Sequence, residues 1–366
     1  MNFLSVIMLG FAIIGGIDRI FNSRLKLGSE FEKGFYVLGD MALSMVGMIV
    51  LAPYLAQLLS PLFNWFYTAL GIDPSIIPAT LFANDMGGAP LAKEIAKDEN
   101  VGMFNALVVS SMMGATVSFT IPYALSVVKK ELHKEMFLGF LCGIATVFVG
   151  CFVVGLMLNI PLLTLLLNLL PLIVFSAIIV LGLLFIPNIT VNIFKAIGFV
   201  IKGIITAGLL IGMFEFLTGF KILPVSADIK EGAVICFNAA IVLAGAFPFM
   251  KVISMLINKP LEKIGEKIGI NSVSSLGIIS SLVTNVTTFK MLNDMDKKGA
   301  VLNSAFAVSA SFLIGGHLAF TTAFDSSYAL YVVLAKLISG LSALLLAILI
   351  YNRIYKKGSV NLWKKH

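Results

Sequence analysis

TLFANDMGGAP (residues 80–90) and SLVTNVTTFKM (281–291) decide the reading of this chain. Each sits inside an apolar stretch and breaks it, the first at Asn84-Asp85-Met86-Gly87-Gly88 and the second at Thr284-Asn285-Val286-Thr287-Thr288. Paired interruptions at corresponding places in two halves of a hydrophobic chain point to the binding site of a transporter. The first also carries an acid where membrane depth is expected, and such a residue is by default a functional-site hypothesis.

The surrounding composition makes membrane depth the right frame. Of 366 residues, 59% are hydrophobic and 12% charged, against roughly 25% charge in a soluble domain. The runs 135–158, 160–186 and 328–352 each exceed the roughly 20 apolar residues that cross a bilayer as helix. They are continuous rather than alternating, which does not suit a transmembrane barrel. The net charge of +7 is no nucleic-acid signal, because most Lys and Arg residues form short clusters between spans, where they orient the chain. Cys142, Cys151 and Cys236 lie in apolar stretches without metal or disulfide spacing and read as packing residues. The stretch 3–21 lacks the basic leader and small-residue cleavage site of a signal peptide, so it reads as a retained first span. No Walker A, HExxH, Cys/His cluster, Arg-rich voltage sensor or TVGYG filter is present, which argues against an ATP-driven pump, a metalloenzyme and a potassium-type channel. No cofactor or metal is expected.

The expected fold is an all-α polytopic membrane protein with about nine crossing helices, at 3–21, 34–58, 100–128, 135–158, 160–186, 192–218, 230–256, 299–324 and 328–352. The broken segments 74–98 and 272–296 are expected as two re-entrant hairpins, each preceded by a short amphipathic piece (61–71 and 258–269) suited to the membrane interface. Basic residues gather at Arg19–Lys33, Lys129–Lys134, Lys251–Lys298 and the tail from Arg353. With these clusters cytoplasmic, of 26 Lys and Arg residues only Lys93, Lys97, Lys221 and Lys230 clearly face outward, so the N-terminus is expected outside and the C-terminus inside. That closes only if each hairpin enters and leaves on one side. Full crossings, eleven in all, would place a basic cluster outside. The halves also match in order: Pro53 with Pro248, Gly71-Ile72-Asp73 with Gly269-Ile270-Asn271, Asn84 with Asn285, Lys93 with Lys290, Asn105 with Asn303, Gly114 with Gly315, and Phe119-Thr120 with Phe320-Thr321. An odd spacer of three crossings inverts one unit relative to the other. The expected organisation is therefore an N-terminal helix and basic loop (1–33), repeat 1 (34–130), a three-helix spacer (131–227), repeat 2 (228–325), and a last helix with a basic tail (326–366).

Among candidate site residues, Asp85 reads either as counter-charge to a cationic substrate or as a helix-capping acid at a hairpin turn. Gly87 and Gly88 allow the backbone to turn and a ligand to approach. Asn84 and Asn285 could donate to and accept from a substrate, with hydroxyls from Thr284, Thr287 and Thr288; singly, each is also a common cap or turn former. Asn105 and Asn303 follow the two hairpins and are candidates for substrate contact, though small polar residues often join helices. His317, the one histidine inside an apolar span, suits a hydrogen bond to substrate or proton coupling, or else a structural bond to a neighbouring helix. Lys336 lies within the last span and either snorkels or pairs with an acid.

Several long motifs, in order, resemble the EutH family of ethanolamine-utilisation membrane proteins: FEKGFYVLGDMALSMVGMIVLAP (31–53), TLFANDMGGAPLAKEIA (80–96), SSMMG (110–114), MLNDMDKKG (291–299) and NSAFAVSASFLIGGHLAF (303–320). The resemblance runs over essentially the whole chain. The second tip departs from the family pattern in reading TNVTTF, and the histidine segment reads GGHL in place of an acid-containing GDHL. The resemblance implies a permease for ethanolamine in the bacterial cytoplasmic membrane, not an enzyme. Its expected partners are ethanolamine, membrane lipid and, through self-association, a second copy in a homodimer. Transport would be facilitated or secondary, at a midplane site between the hairpins. The alternative is a proton- or sodium-coupled carrier of another small cation or a nucleoside-like solute.

Overall fold

The first helix, α1 (Phe3–Ile20), opens a chain whose regular elements are all helical among residues 3–356, the part the computed structural model describes. The basic tail beyond Lys356 lies outside the described residues. After α1 come α2 (Gly28–Tyr36), the one-turn α3 (Leu38–Met41), a π-helical stretch (Ala42–Val46) and α4 (Gly47–Leu70). A first hairpin follows: α5 (Ile76–Leu81), a 3-10 turn (Asn84–Met86) and α6 (Gly88–Ile95). The chain continues as α7 (Glu99–Phe104), π-helical backbone over Asn105–Gly114 and Thr116–Thr120, and α8 (Ile121–Val127). Three long helices succeed it: α9 (His133–Met157), α10 (Leu162–Phe185) and α11 (Pro187–Thr218). Then come α12 (Ile229–Ile268), a second hairpin of α13 (Ser272–Val283) and α14 (Asn285–Met291), α15 (Lys297–Ala310), α16 (Gly316–Asp325) and α17 (Ala329–Lys356).

Among the described residues, eight helical segments are long and apolar enough to cross a membrane, so this is a multi-pass membrane protein. The expected crossing at 299–324 is the one that differs. It is cut at residues 311–315, where Ser311 is extended (φ −64°, ψ 150°) and Phe312 is left-handed (φ 58°), leaving α15 with 14 residues and α16 with 10. The cause lies in the second hairpin. Helix α13 stops at Val283, and its last carbonyls take new donors: Phe312 N–H bonds Ser281 O at 3.0 Å and Ile314 N–H bonds Leu282 O at 2.8 Å. Irregular backbone at membrane depth persists only where such partners are supplied.

The amphipathic pieces at 61–71 and 258–269 are not separate interfacial helices. They are the ends of α4 and α12, which run on through Pro53 and Pro61, and through Pro248 and Pro260. A proline removes one helical hydrogen bond, a loss that packed membrane helices tolerate. Both helices stop instead at a left-handed glycine, Gly71 (φ 65°) and Gly269 (φ 77°), the usual C-terminal stop. At 40 residues, α12 is about 60 Å long, roughly twice the hydrocarbon thickness.

The arms of both hairpins are short. Helices of 6, 8, 12 and 7 residues reach about 9 to 18 Å at 1.5 Å per residue, and none spans the roughly 30 Å core. Each hairpin is closed at its base by a carboxylate. Asp73, 4% exposed, accepts from Ser75 N–H (3.0 Å), Lys97 N–H (2.9 Å) and Asp98 N–H (2.9 Å). Asp296 accepts from Asn271 N–H (2.8 Å) and Gly299 N–H (3.0 Å). Asp73→Ala is therefore expected to destabilise the detergent-purified protein, by roughly 1–3 kcal/mol for the buried Ser75 N–H left unpaired, which thermal unfolding reads as a lowered midpoint.

The helices are not equally enclosed. The 99–127 segment is almost wholly surrounded by protein, whereas α10 and α11 turn most of their apolar surface outward, with Leu163 70% and Phe199 80% exposed. In a bilayer, that surface faces lipid. The enclosed segment thus forms the centre, and it is against this centre that both hairpin tips rest.

Candidate functional site

The first tip begins where α5 stops. Phe82 and Ala83 are extended, the 3-10 turn carries Asn84, Asp85 and Met86, and Gly87 returns the chain with φ 103°. Ala83 O accepts from Met86 N–H at 3.0 Å and Gly88 N–H at 2.8 Å, while Ala83 N–H bonds Ser118 Oγ at 3.0 Å on the enclosed segment. Gly87 is required here, since a side chain would meet both a positive φ and Met48. Gly88 packs with no room for a Cβ against the Phe82 carbonyl.

The tip rests on glycine from below as well. A Cβ on Gly114 would fall 1.9 Å from Phe82 O, and one on Gly315 would fall 2.1 Å from Val283 O. Phe82 and Val283 each stand two residues before a tip asparagine. Two glycines that the sequence reading paired, Gly114 and Gly315, thus each sit against the carbonyl that leads into one tip.

Asp85 caps nothing: the residue preceding α6 is Gly87, and no side chain bonds that helix start. Its carboxylate, 24% exposed, lies with Oδ1 3.8 Å from Nε2 of His317, the second residue of α16. This is too long for a hydrogen bond, and with a neutral imidazole it is a charge–dipole contact rather than an ion pair. Gly316 brings the start of α16 against the same carboxylate, its Cβ position 3.7 Å from Asp85 Oδ2. His317 is 3% exposed and packs on the Phe312 ring, centroids 4.7 Å apart.

Behind the imidazole stands Lys336, fully buried on α17. Its Nζ donates to Ser111 O (2.6 Å) and Ser311 O (2.9 Å) and lies 3.0 Å from His317 Nδ1. An ammonium has three donors and no acceptor. With Lys336 charged, Nδ1 accepts and the imidazole proton is on Nε2, toward Asp85. Lys336 therefore neither snorkels nor pairs directly with an acid.

The second tip is built differently. Thr284 is extended (φ −157°), and its Oγ1 accepts from Val286 N–H at 3.2 Å, capping α14. Asn285 and Thr288 are buried, and Thr288 bonds Gly277 O and Ser281 Oγ. Thr284 and Thr287 line a cavity of about 230 Å³ together with Glu30, Met250 and Lys251.

Each tip asparagine bonds a threonine on the segment that follows the other hairpin. Asn84 Nδ2 bonds Thr321 Oγ1 (3.4 Å) and His317 O (3.5 Å), and Asn285 Nδ2 bonds Thr120 Oγ1 (2.9 Å). Both side-chain oxygens, Asn84 Oδ1 and Asn285 Oδ1, are buried without a donor. Beside the first tip a larger cavity of about 830 Å³ opens, lined by Met86, Ser118, Tyr123, Asp40, Lys195 and Lys202 among others.

Asn105 and Asn303 are not brought to the tips. Asn105 exchanges bonds with Asn168 (3.1 and 2.8 Å) and donates to Ser75 Oγ (2.8 Å). Asn303 donates to Ser274 O (2.8 Å) and Gly299 O (3.0 Å). Both pin hairpin bases rather than tips. Asp85, His317 and Asn84 form one cluster; Thr284, Asn285 and Thr287 form another. The sequence reading left Lys336 without a partner and did not assign Thr120, Thr321 or Ser118 to the site. Thr120 and Thr321 were already visible as a matched pair, the one signal that could have found them.

The model of the family described as "Ethanolamine utilisation protein, EutH" matches residues 2–350. The chain is 42% identical to the probable ethanolamine permease EutH of Listeria monocytogenes, over 96% of this chain and 94% of that protein. It is 36% identical to the uncharacterized protein YxeR of Bacillus subtilis, over 92% and 91%. It is 33% identical to the probable ethanolamine permease EutH of Salmonella typhimurium, over 94% of each. No solved structure matches.

Proposed function

We infer the function from one premise: this chain belongs to the EutH family of ethanolamine-utilisation proteins. It carries ethanolamine, as the protonated amine, across the bacterial cytoplasmic membrane. Its two units are inverted relative to each other, and with the broken α15–α16 segment making a ninth crossing, the N-terminus is outside and the C-terminus inside, as the basic clusters favour. Asp85 is the observation that carries the reading. Its carboxylate spends no bond on capping, keeps partial access to solvent, and neighbours Met86, which lines the large cavity.

The chemistry suits the cargo. An alkyl amine with a pKa of about 10.4 is charged at neutral pH, and a bare charge at the bilayer centre costs several kcal/mol or more. Asp85 replaces part of the lost hydration. The unpartnered amide oxygens of Asn84 and Asn285 are acceptors for the ammonium or hydroxyl, and Thr284 and Thr287 add hydroxyls at the second tip.

The test is uptake of labelled ethanolamine into liposomes holding the purified full chain, at acidic external pH, where the diffusible free base is scarce. Saturable uptake is expected, competed by other small alkylammonium ions and not by a neutral diol of similar size. Uptake no faster than in empty liposomes, or equal competition by the diol, would overturn the reading.

A further inference from the structure

We propose that Lys336 is the exchange partner of the transported cation: the site takes in a protonated amine as Lys336 gives up a proton through His317. This rests on the cation-carrier reading above and adds what the carrier moves in return.

The ammonium of Lys336 sits in a place made for a cation. It is fully buried, and its three N–H groups meet Ser111 O, Ser311 O and His317 Nδ1 at 2.6, 2.9 and 3.0 Å. Ser111 belongs to the π-helical stretch of the first unit and Ser311 to the break in the second. Both carbonyls lie where regular α-helical bonding fails. One lysine thus bonds the irregular backbone of both units.

The charges around it are few. Asp85 on the first tip is the anion it senses; α9 presents Cys151, a neutral thiol; α16 presents His317; the π-helical stretch and the 311–315 break present carbonyls. One cation and one carboxylate balance. A substrate ammonium at Asp85 makes two cations for one carboxylate in a water-poor centre, and an uncompensated buried charge is expensive. Releasing one proton restores the balance.

The route is already in line. Lys336 Nζ passes a proton to His317 Nδ1 as the Nε2 proton leaves to solvent at the Asp85 end, where Nε2 stands 3.8 Å from the carboxylate. Lys336 is left as a neutral amine and His317 as the Nδ1–H tautomer. Release of the substrate on the other side reverses each transfer, so one cation enters for each proton that leaves.

Liposomes holding the full chain and an entrapped pH dye test this at acidic external pH, with empty liposomes as the baseline. Ethanolamine entry is expected to alkalinise the lumen, and an imposed potential of 100 mV, negative inside, to leave accumulation unchanged. A lone cation would instead accumulate roughly 40-fold further. Lys336→Met removes the exchangeable proton while leaving Asp85, and its remaining uptake is expected to become potential-driven and to move no protons, a gain that mere structural damage does not produce. Potential-driven uptake by the unsubstituted protein, with lumen pH unchanged, overturns the exchange and leaves the carrier reading standing. Electroneutral, proton-linked uptake retained in Lys336→Met also overturns it, since it shows transport of the free base without Lys336. No uptake under any condition overturns both readings. The unsubstituted protein decides the charge count without any variant having to fold.

Discussion

Asp85→Asn is expected to stop uptake of labelled ethanolamine at acidic pH while leaving the protein folded. The amide has nearly the shape of the carboxylate, and the carboxylate caps no helix, so the turn at 84–86 loses no bond on which it depends. What disappears is the anion. Leaving the substrate ammonium without its counter-charge is expected to cost about 3–5 kcal/mol, which is roughly 10²- to 4 × 10³-fold in occupancy of the site. Tracer uptake into liposomes reads the loss, and thermal unfolding in detergent checks that the chain still folds, since buried Lys336 can give up its proton once its counter-charge is gone. Normal uptake by this variant would remove Asp85 from the role given to it.

Gly114→Ala and Gly315→Ala are expected to damage the protein nearly as much, without touching a charge. The added methyl of the first would lie 1.9 Å from Phe82 O and 2.7 Å from Ala79 O; that of the second, 2.1 Å from Val283 O. These are backbone atoms, which cannot rotate away as a side chain can. Overpacking of this kind costs about 1–3 kcal/mol, occasionally more. The clash also lies directly under each tip, so relief by movement displaces Asn84 and Asp85, or Thr284 and Asn285. Both variants should therefore show lowered unfolding midpoints and reduced uptake together. Gly203→Ala, on α11 with nothing within 4 Å, is the matched control and should change neither.

The two tips were legible in the sequence because polar and turn residues stand out against an apolar background, and His317 was legible for the same reason. Lys336 was visible but not its partners, which come from Ser111, Ser311 and His317, distant elements or main-chain carbonyls that sequence spacing does not reveal. The break at 311–315 was hidden by its own apolar residues, Phe312, Leu313 and Ile314. Its cause is the demand of carbonyls thirty residues earlier, at Ser281 and Leu282. The π-helical backbone at 105–120 left no mark either, since its bonding shift needs no special residue type. The amphipathic composition of 61–71 and 258–269 misled in the other direction: it suggested separate interfacial pieces where α4 and α12 continue. Asn105 and Asn303 were expected as candidates for substrate contact, but their side chains are spent holding the hairpin bases.

The crossed amide–hydroxyl bonds, Asn84 to Thr321 and Asn285 to Thr120, have the form of an isologous interface, in which patch and counter-patch recur on both partners. A polypeptide joined to itself in this way carries each joint in duplicate. Loss of one threonine hydroxyl is expected to leave the other joint in place, whereas loss of both leaves the two segments tied through other bonds alone, such as those of Lys336 to Ser111 and Ser311.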